Sequence, residues 1–129
     1  IYCVGLAMDE EGFLYISDYA RNEVRRYDHR NEGNGVIVAG GHDRGDAPDQ
    51  LNGPRHLFVD ADHSVYVSDS GNHRVMKWMR GAREGVIVAG GRGQGNGLEN
   101  LSWPSGVFVD RMGSVYVADE GNHRVMRWV

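Results

Sequence analysis

One stretch returns almost unchanged fifty residues later, and nothing else in the chain limits the possible folds so strongly. Tyr66 to Trp78 reads Tyr-Val-Ser-Asp-Ser-Gly-Asn-His-Arg-Val-Met-Lys-Trp, and Tyr116 to Trp128 reads Tyr-Val-Ala-Asp-Glu-Gly-Asn-His-Arg-Val-Met-Arg-Trp. A more divergent copy runs from Tyr15 to Tyr27. Pro54 and Pro104, Asp60 and Asp110, and Val36 and Val86 are each separated by 50 residues, whereas Asp18 to Asp69 and Tyr27 to Trp78 span 51. The 129 residues therefore hold about two and a half copies of one unit, with no segment left for a second domain. In such an array each unit buries its apolar surface against its neighbours.

Within the best-preserved unit, four short runs stand between turn signals. Leu57-Phe58-Val59, Val65-Tyr66-Val67, Arg74 to Trp78 and Val86 to Ala89 are rich in Val, Tyr, Phe and Trp and are bounded by Gly, Asn and Asp. That pattern predicts strands, and no segment carries a useful helical period. Two of the runs lack clean alternation, which means that both faces of the small sheet are covered. Four short antiparallel strands per repeat of this length is the sequence form of a propeller blade. The equivalent runs are Leu6–Met8, Leu14–Ile16, Val24–Tyr27 and Val36–Ala39 in the first copy, and Val107–Val109, Val115–Val117 and Arg124–Trp128 in the third. The expected fold is all-β, with about two and three-quarter four-stranded antiparallel blades: residues 5–53, 54–103 and a partial third blade over 104–129 without its outer strand. The last strand, near Val125 and Trp128, is then an open apolar edge. Either the chain is part of a longer propeller, or copies complete one another's ring.

Composition adds a few bounds. Nineteen glycines suit many tight turns. A net charge of −4 argues against a large nucleic-acid or acidic-membrane footprint. Thirteen of the fourteen basic residues are Arg, with Lys77 alone, which suits ion pairing with the eighteen acids. Cys3 is the only cysteine, so no disulfide forms within the chain. No apolar run approaches the length of a membrane helix. The start at Ile1, without Met or a signal-like stretch, suggests a processed or partial chain.

Val65 to Val75 and Val115 to Val125, with the preceding Gly53 to Asp60 and Trp103 to Asp110, resemble the NHL repeat. The first copy departs from that pattern, with Arg21-Asn22-Glu23 where Asn-His-Arg is expected and no Pro before Gly5. The resemblance implies a propeller of about six blades that binds protein or RNA. Related propellers include hydrolases and a lyase with metals in the central channel.

Repetition separates scaffold from candidate function. Asp18, Asp69 and Asp119 end the second strand of each copy and are expected to close the following turn by accepting backbone N–H groups two or three residues on. Asn72 and Asn122, each after Gly, suit positive φ. His73-Arg74 and His123-Arg124 recur without a separate nucleophile, which favours packing and hydrogen bonding over catalysis. The Gly-rich stretches after Ala39 and Ala89 precede no helix and are not phosphate loops. They are crossovers, lying on the same face as the turns after Asp18, Asp69 and Asp119. Candidate partner-binding positions on that face are Tyr19, Arg21, His42, Arg55, His56, Arg92, Trp103 and Glu120. Most differ from their counterparts in the other copies. His56 begins an innermost strand, but the chain supplies no matching positions for a three-histidine metal site. Asn100-Leu101-Ser102 fits a glycosylation acceptor and leans the reading toward a secreted or surface protein.

The sequence thus points to a non-enzymatic module that binds protein or glycan partners through its loop face, with no catalytic residue, metal or cofactor expected. RNA binding and a channel-metal hydrolase or lyase are the alternatives.

Overall fold

A computed structural model describes residues 3–28, 33 and 35–129. It contains eleven strands among the described residues. β1 (Cys3–Met8), β2 (Leu14–Asp18), β3 (Glu23–Tyr27) and β4 (Val36–Gly40) form one sheet in that order. β5 (Pro54–Val59), β6 (Val65–Asp69), β7 (Arg74–Trp78) and β8 (Val86–Gly90) form the second. β9 (Val107–Val109), β10 (Val115–Asp119) and β11 (Arg124–Trp128) form a three-stranded third. All pairings are antiparallel between sequence neighbours, and the matching register is reproduced from blade to blade, as in Tyr66 opposite Lys77 and Tyr116 opposite Arg127. The fold is all-β and of the propeller class, with no closed ring in this chain.

The cores lie between blades, not within them. Leu57, Val65, Val67, Met76 and Trp78 of the second blade pack on Tyr15, Val24 and Ala39 of the first. On the opposite side of the second blade, Tyr66, Val75 and Ala89 pack on Val109, Val115 and Val117 of the third. Both faces of the middle blade are therefore apolar, which explains why its strands lack a polar alternation. The outward faces of the flanking blades remain open: Leu6 is 62% exposed and Val125 72%.

Local rules build each blade. After the first strand, Asp9, Asp60 and Asp110 each accept N–H groups two and four residues on and the hydroxyl of the tyrosine six residues on. This side-chain closure holds each first hairpin. Burial pushes the Tyr15 phenol up to about 12, and its bond to Asp9 adds to the shift. Near the hub the inner strands converge: a Cβ on Gly5 would lie 2.5 Å from the Arg55 carbonyl oxygen. Glycine is what permits that approach.

Candidate interaction face

Two kinds of loop meet on one face of the blades. The Gly71 N–H donates to the Asn52 carbonyl at 2.8 Å, and the Gly121 N–H to that of Ser102 at 2.8 Å. The turns that end β6 and β10 are thereby tied to the crossovers that enter their own blades.

A buried carboxylate organises each contact, but not as the sequence suggested. Only Asp18 closes its own turn, accepting from the Ala20 and Arg21 N–H groups at 3.0 Å. Asp69 instead accepts the Asn52 N–H at 2.7 Å, Asn72 Nδ2 at 2.8 Å and Arg74 Nε at 2.8 Å. Asp119 does the same with Ser102, Asn122 and Arg124. The physical reason lies in the first copy's divergence: Glu23 stands where Arg74 and Arg124 stand, so Asp18 has no cation to receive. Arg74 also donates to the carbonyls of Asp46, Ala47 and Gln50, stapling the crossover. The two carboxyls are shifted in opposite directions from the ordinary value. Burial pushes Asp69, enclosed by blades on both sides, above the ordinary carboxylate value. Asp119 has a blade on one side only, and its hydrogen bonds and Arg124 hold it below, against the opposing effect of burial.

The asparagines also differ from expectation. Asn72 and Asn122 lie in short 3-10 turns (Ser70–Asn72 and Glu120–Asn122), and the left-handed conformation falls one residue later, at His73 (φ 54°) and His123 (φ 53°). Asn72 Nδ2 is needed elsewhere, donating to the Gly45 carbonyl as well as to Asp69. Asn22 occupies the corresponding left-handed position in the first copy, with φ 56°.

These left-handed residues clasp one blade to the next. Asn22 Oδ1 accepts the Gly53 N–H at 2.8 Å, and His73 Nδ1 accepts the Trp103 N–H at 3.0 Å. Accepting at Nδ1 requires a neutral imidazole carrying its proton on Nε2. Burial favours that state by lowering the His73 pKa, against the pull of Asp69 and Asp119. Trp103 is itself left-handed, with φ 51°. Its ring stands edge-on to His73, centroids 4.8 Å apart, and remains 48% exposed. A bulky residue in this conformation is costly, and such outliers concentrate at functional sites. The first junction has Gly53 there, covered by the exposed Tyr19 ring.

Among the candidate residues, Arg55 and Glu120 form an ion pair across the second and third blades at 3.5 Å. Trp103 follows the Ser102 carbonyl that holds the turn bearing Glu120. Tyr19 lies against Gly53, two residues before Arg55. Only Arg55 and Glu120 touch one another; Tyr19 and Trp103 are linked to them through neighbouring backbone. Arg21 is exposed on the turn after β2. His42 and Arg92 sit instead on the outer crossovers, beside grooves at the rim. His56 is half-buried in β5, its N–H donating to Ser68 Oγ at 2.9 Å. Asn100 is half-buried, and its Nδ2 donates to the carbonyls of Arg92 and Gly93. No group of three or more His, Cys, Asp or Glu side chains converges as a metal site among the described residues. His73, the seat of Trp103, carries no signal of its own in the sequence, because His123 repeats it.

Residues 101–127 match the profile of the NHL repeat. Those residues are an NHL repeat. No curated protein matches it. The chain is similar in structure to an auxiliary nutrient binding protein from Bacteroides ovatus, with TM-score 0.74 and 17% identity over 96% of this chain and 36% of that one. The corresponding protein from Bacteroides thetaiotaomicron gives 0.72 and 18%, over 95% and 36%. Virginiamycin B lyase from Staphylococcus aureus gives 0.61 and 11%, over 97% and 37%. The chain spans little more than a third of the length of these structures. At such identities the likeness establishes the propeller fold, and NHL propellers are in general interaction modules.

Proposed function

We propose that this NHL segment is a non-enzymatic module that binds a protein partner through its loop-bearing face. The observation carrying this reading is Trp103: a large, half-exposed aromatic held in a left-handed conformation on His73. The Arg55–Glu120 pair lies on the same face. Exposed aromatics and arginines supply most of the energy in protein interfaces. Tyr19 belongs to a turn on that face, giving two exposed aromatic rings and one charged pair. RNA is less well served by these residues, which present no cluster of cations. The open faces at Leu6 and Val125 further support association with another blade sheet, from the same protein or from a second copy.

Selection of binding peptides from a random display library against the immobilised chain tests the reading. Selected binders should lose affinity with Trp103→Ala and with Arg55→Glu, and keep it with Asp62→Ala on the opposite face. Binders indifferent to both substitutions on the loop face would rule the reading out.

A further inference from the structure

One cavity among the described residues has none of Tyr19, Arg55, Trp103 or Glu120 in its lining. Where the first two blades splay toward the rim, a groove of about 840 Å³ opens between β4 and the turn after β7. Its floor is the buried Tyr15 and Trp78, and one wall is the continuous run from Val36 to His42. The other wall is Met79 to Arg83. β4 is the outermost strand of its sheet and pairs only with β3 among the described strands. Val36 and Ile37 are nevertheless 56% and 44% exposed, on an edge where natural sheets commonly place charge.

Charge fixes the chemistry of what fits. Arg26, Arg80 and Arg83 line the groove, against Asp49 as the only acid among the described lining residues. Arg80 and Arg83 are exposed and have no ion pair among the described residues. His63 also lines it, but is engaged by Asp9 and Glu11. The second junction provides an internal contrast. β8 repeats the Val-Ile-Val-Ala-Gly sequence of β4, but the groove beside it is about 430 Å³ and is lined by Arg92 and Glu99 in balance.

We propose that the rim groove beside β4 takes an extended acidic peptide, which adds a fifth strand to the first blade. Its backbone pairs with the open edge of β4 and alternate apolar side chains enter the groove above Trp78. Its carboxylates meet Arg80 and Arg83. β4 is five residues, roughly 17 Å of extended chain, enough to pair with a short strand rather than to hold a single side chain. Strand addition draws affinity from main-chain bonds and specificity from the pockets for alternate residues. The groove shares the crossover residue His42 with the loop face but none of Tyr19, Arg55, Trp103 or Glu120, so either proposal can fail without the other.

The test is fluorescence anisotropy of the full chain with a dye-labelled peptide alternating valine and glutamate. Binding should weaken about tenfold or more in the Arg80→Glu/Arg83→Glu variant and fall with salt, as expected for paired charges at a partly open site. It should disappear when alternate peptide amides are N-methylated, and persist in Trp103→Ala. The exposed arginines are not structural, and an unchanged thermal midpoint verifies that the variant is folded. No binding at millimolar peptide, equal binding of a valine–lysine peptide, or equal binding of the N-methylated peptide would each overturn the proposal. Mass growth of the chain alone that the charge reversal abolishes would assign the groove to a second copy and overturn it as well.

Discussion

The two blade junctions use one clasp with different parts. At the first, Asn22 accepts from Gly53, both residue types that enter the left-handed region at low cost. At the second, His73, a residue type that also enters that region, accepts from Trp103, whose bulky side chain makes the conformation costly. The first junction is relaxed, and its carboxylate, Asp18, serves only its own turn. The second is strained, displays an aromatic ring, and follows a blade in which Arg74 ties Asp69 to an entire crossover. Shared geometry with altered residues shows where the repeat tolerates strain, and that position is where ligand recognition is best sought.

The largest effect is expected at Arg74. Arg74→Met leaves the buried Asp69 uncompensated and frees three carbonyls, and should lower stability by about 3–5 kcal/mol in urea unfolding. Arg124→Met, at a more exposed copy of the same network, should cost less than half as much; equal costs would show that the middle blade is not specially enclosed. Exchanging the clasp residues comes next. Gly53→Trp imposes left-handed strain and presses on Tyr19, whose Cε2 lies 3.0 Å from where the new Cβ would stand, and should cost about 1–3 kcal/mol by thermal unfolding. Trp103→Gly relieves the same strain and should leave stability unchanged or raise it by up to about 1 kcal/mol, while abolishing partner binding.

Acid should act at the second junction, through His73. Its pKa is lowered in the folded state, so the unfolded chain binds its proton first as pH falls. The stability it contributes is complete above the ordinary value of 6.5 and is lost as pH falls from there through the lowered folded value. His73→Asn, which keeps an acceptor as Asn22 does, should flatten that part of a stability–pH curve; an unchanged slope would remove His73 as its source. The smallest effect belongs to Glu120→Ala. Its ion pair with Arg55 is solvent-exposed, so the loss should stay below about 1 kcal/mol in stability while peptide binding at the loop face weakens.

Much of the blade was legible because its causes are local. Turn residues at fixed offsets and short Val- and Tyr-rich runs located all eleven strands, and the lack of alternation in the middle blade correctly signalled two covered faces. The Asp-to-Tyr spacing of six residues at Asp9, Asp60 and Asp110 was also readable, being repeated in every copy. The placement of positive φ was not. Gly-Asn suggested Asn72, but the turn continues for one further residue in a 3-10 conformation and delivers the left-handed step to His73. Nor could spacing show that Arg55 pairs with Glu120 while His42 and Arg92 lie beside separate grooves, because those placements depend on how one blade packs on the next.

The repeat, the strands and hence the blade follow from the order of residues, since hydrophobic pattern and turn chemistry act over a few positions. Which turn meets which crossover does not. Blade packing set Arg74 on three carbonyls, His73 under Trp103, and the rim groove between β4 and Arg83. Those contacts join residues roughly 20 to 50 positions apart, and their geometry depends on the angle at which one blade packs on the next.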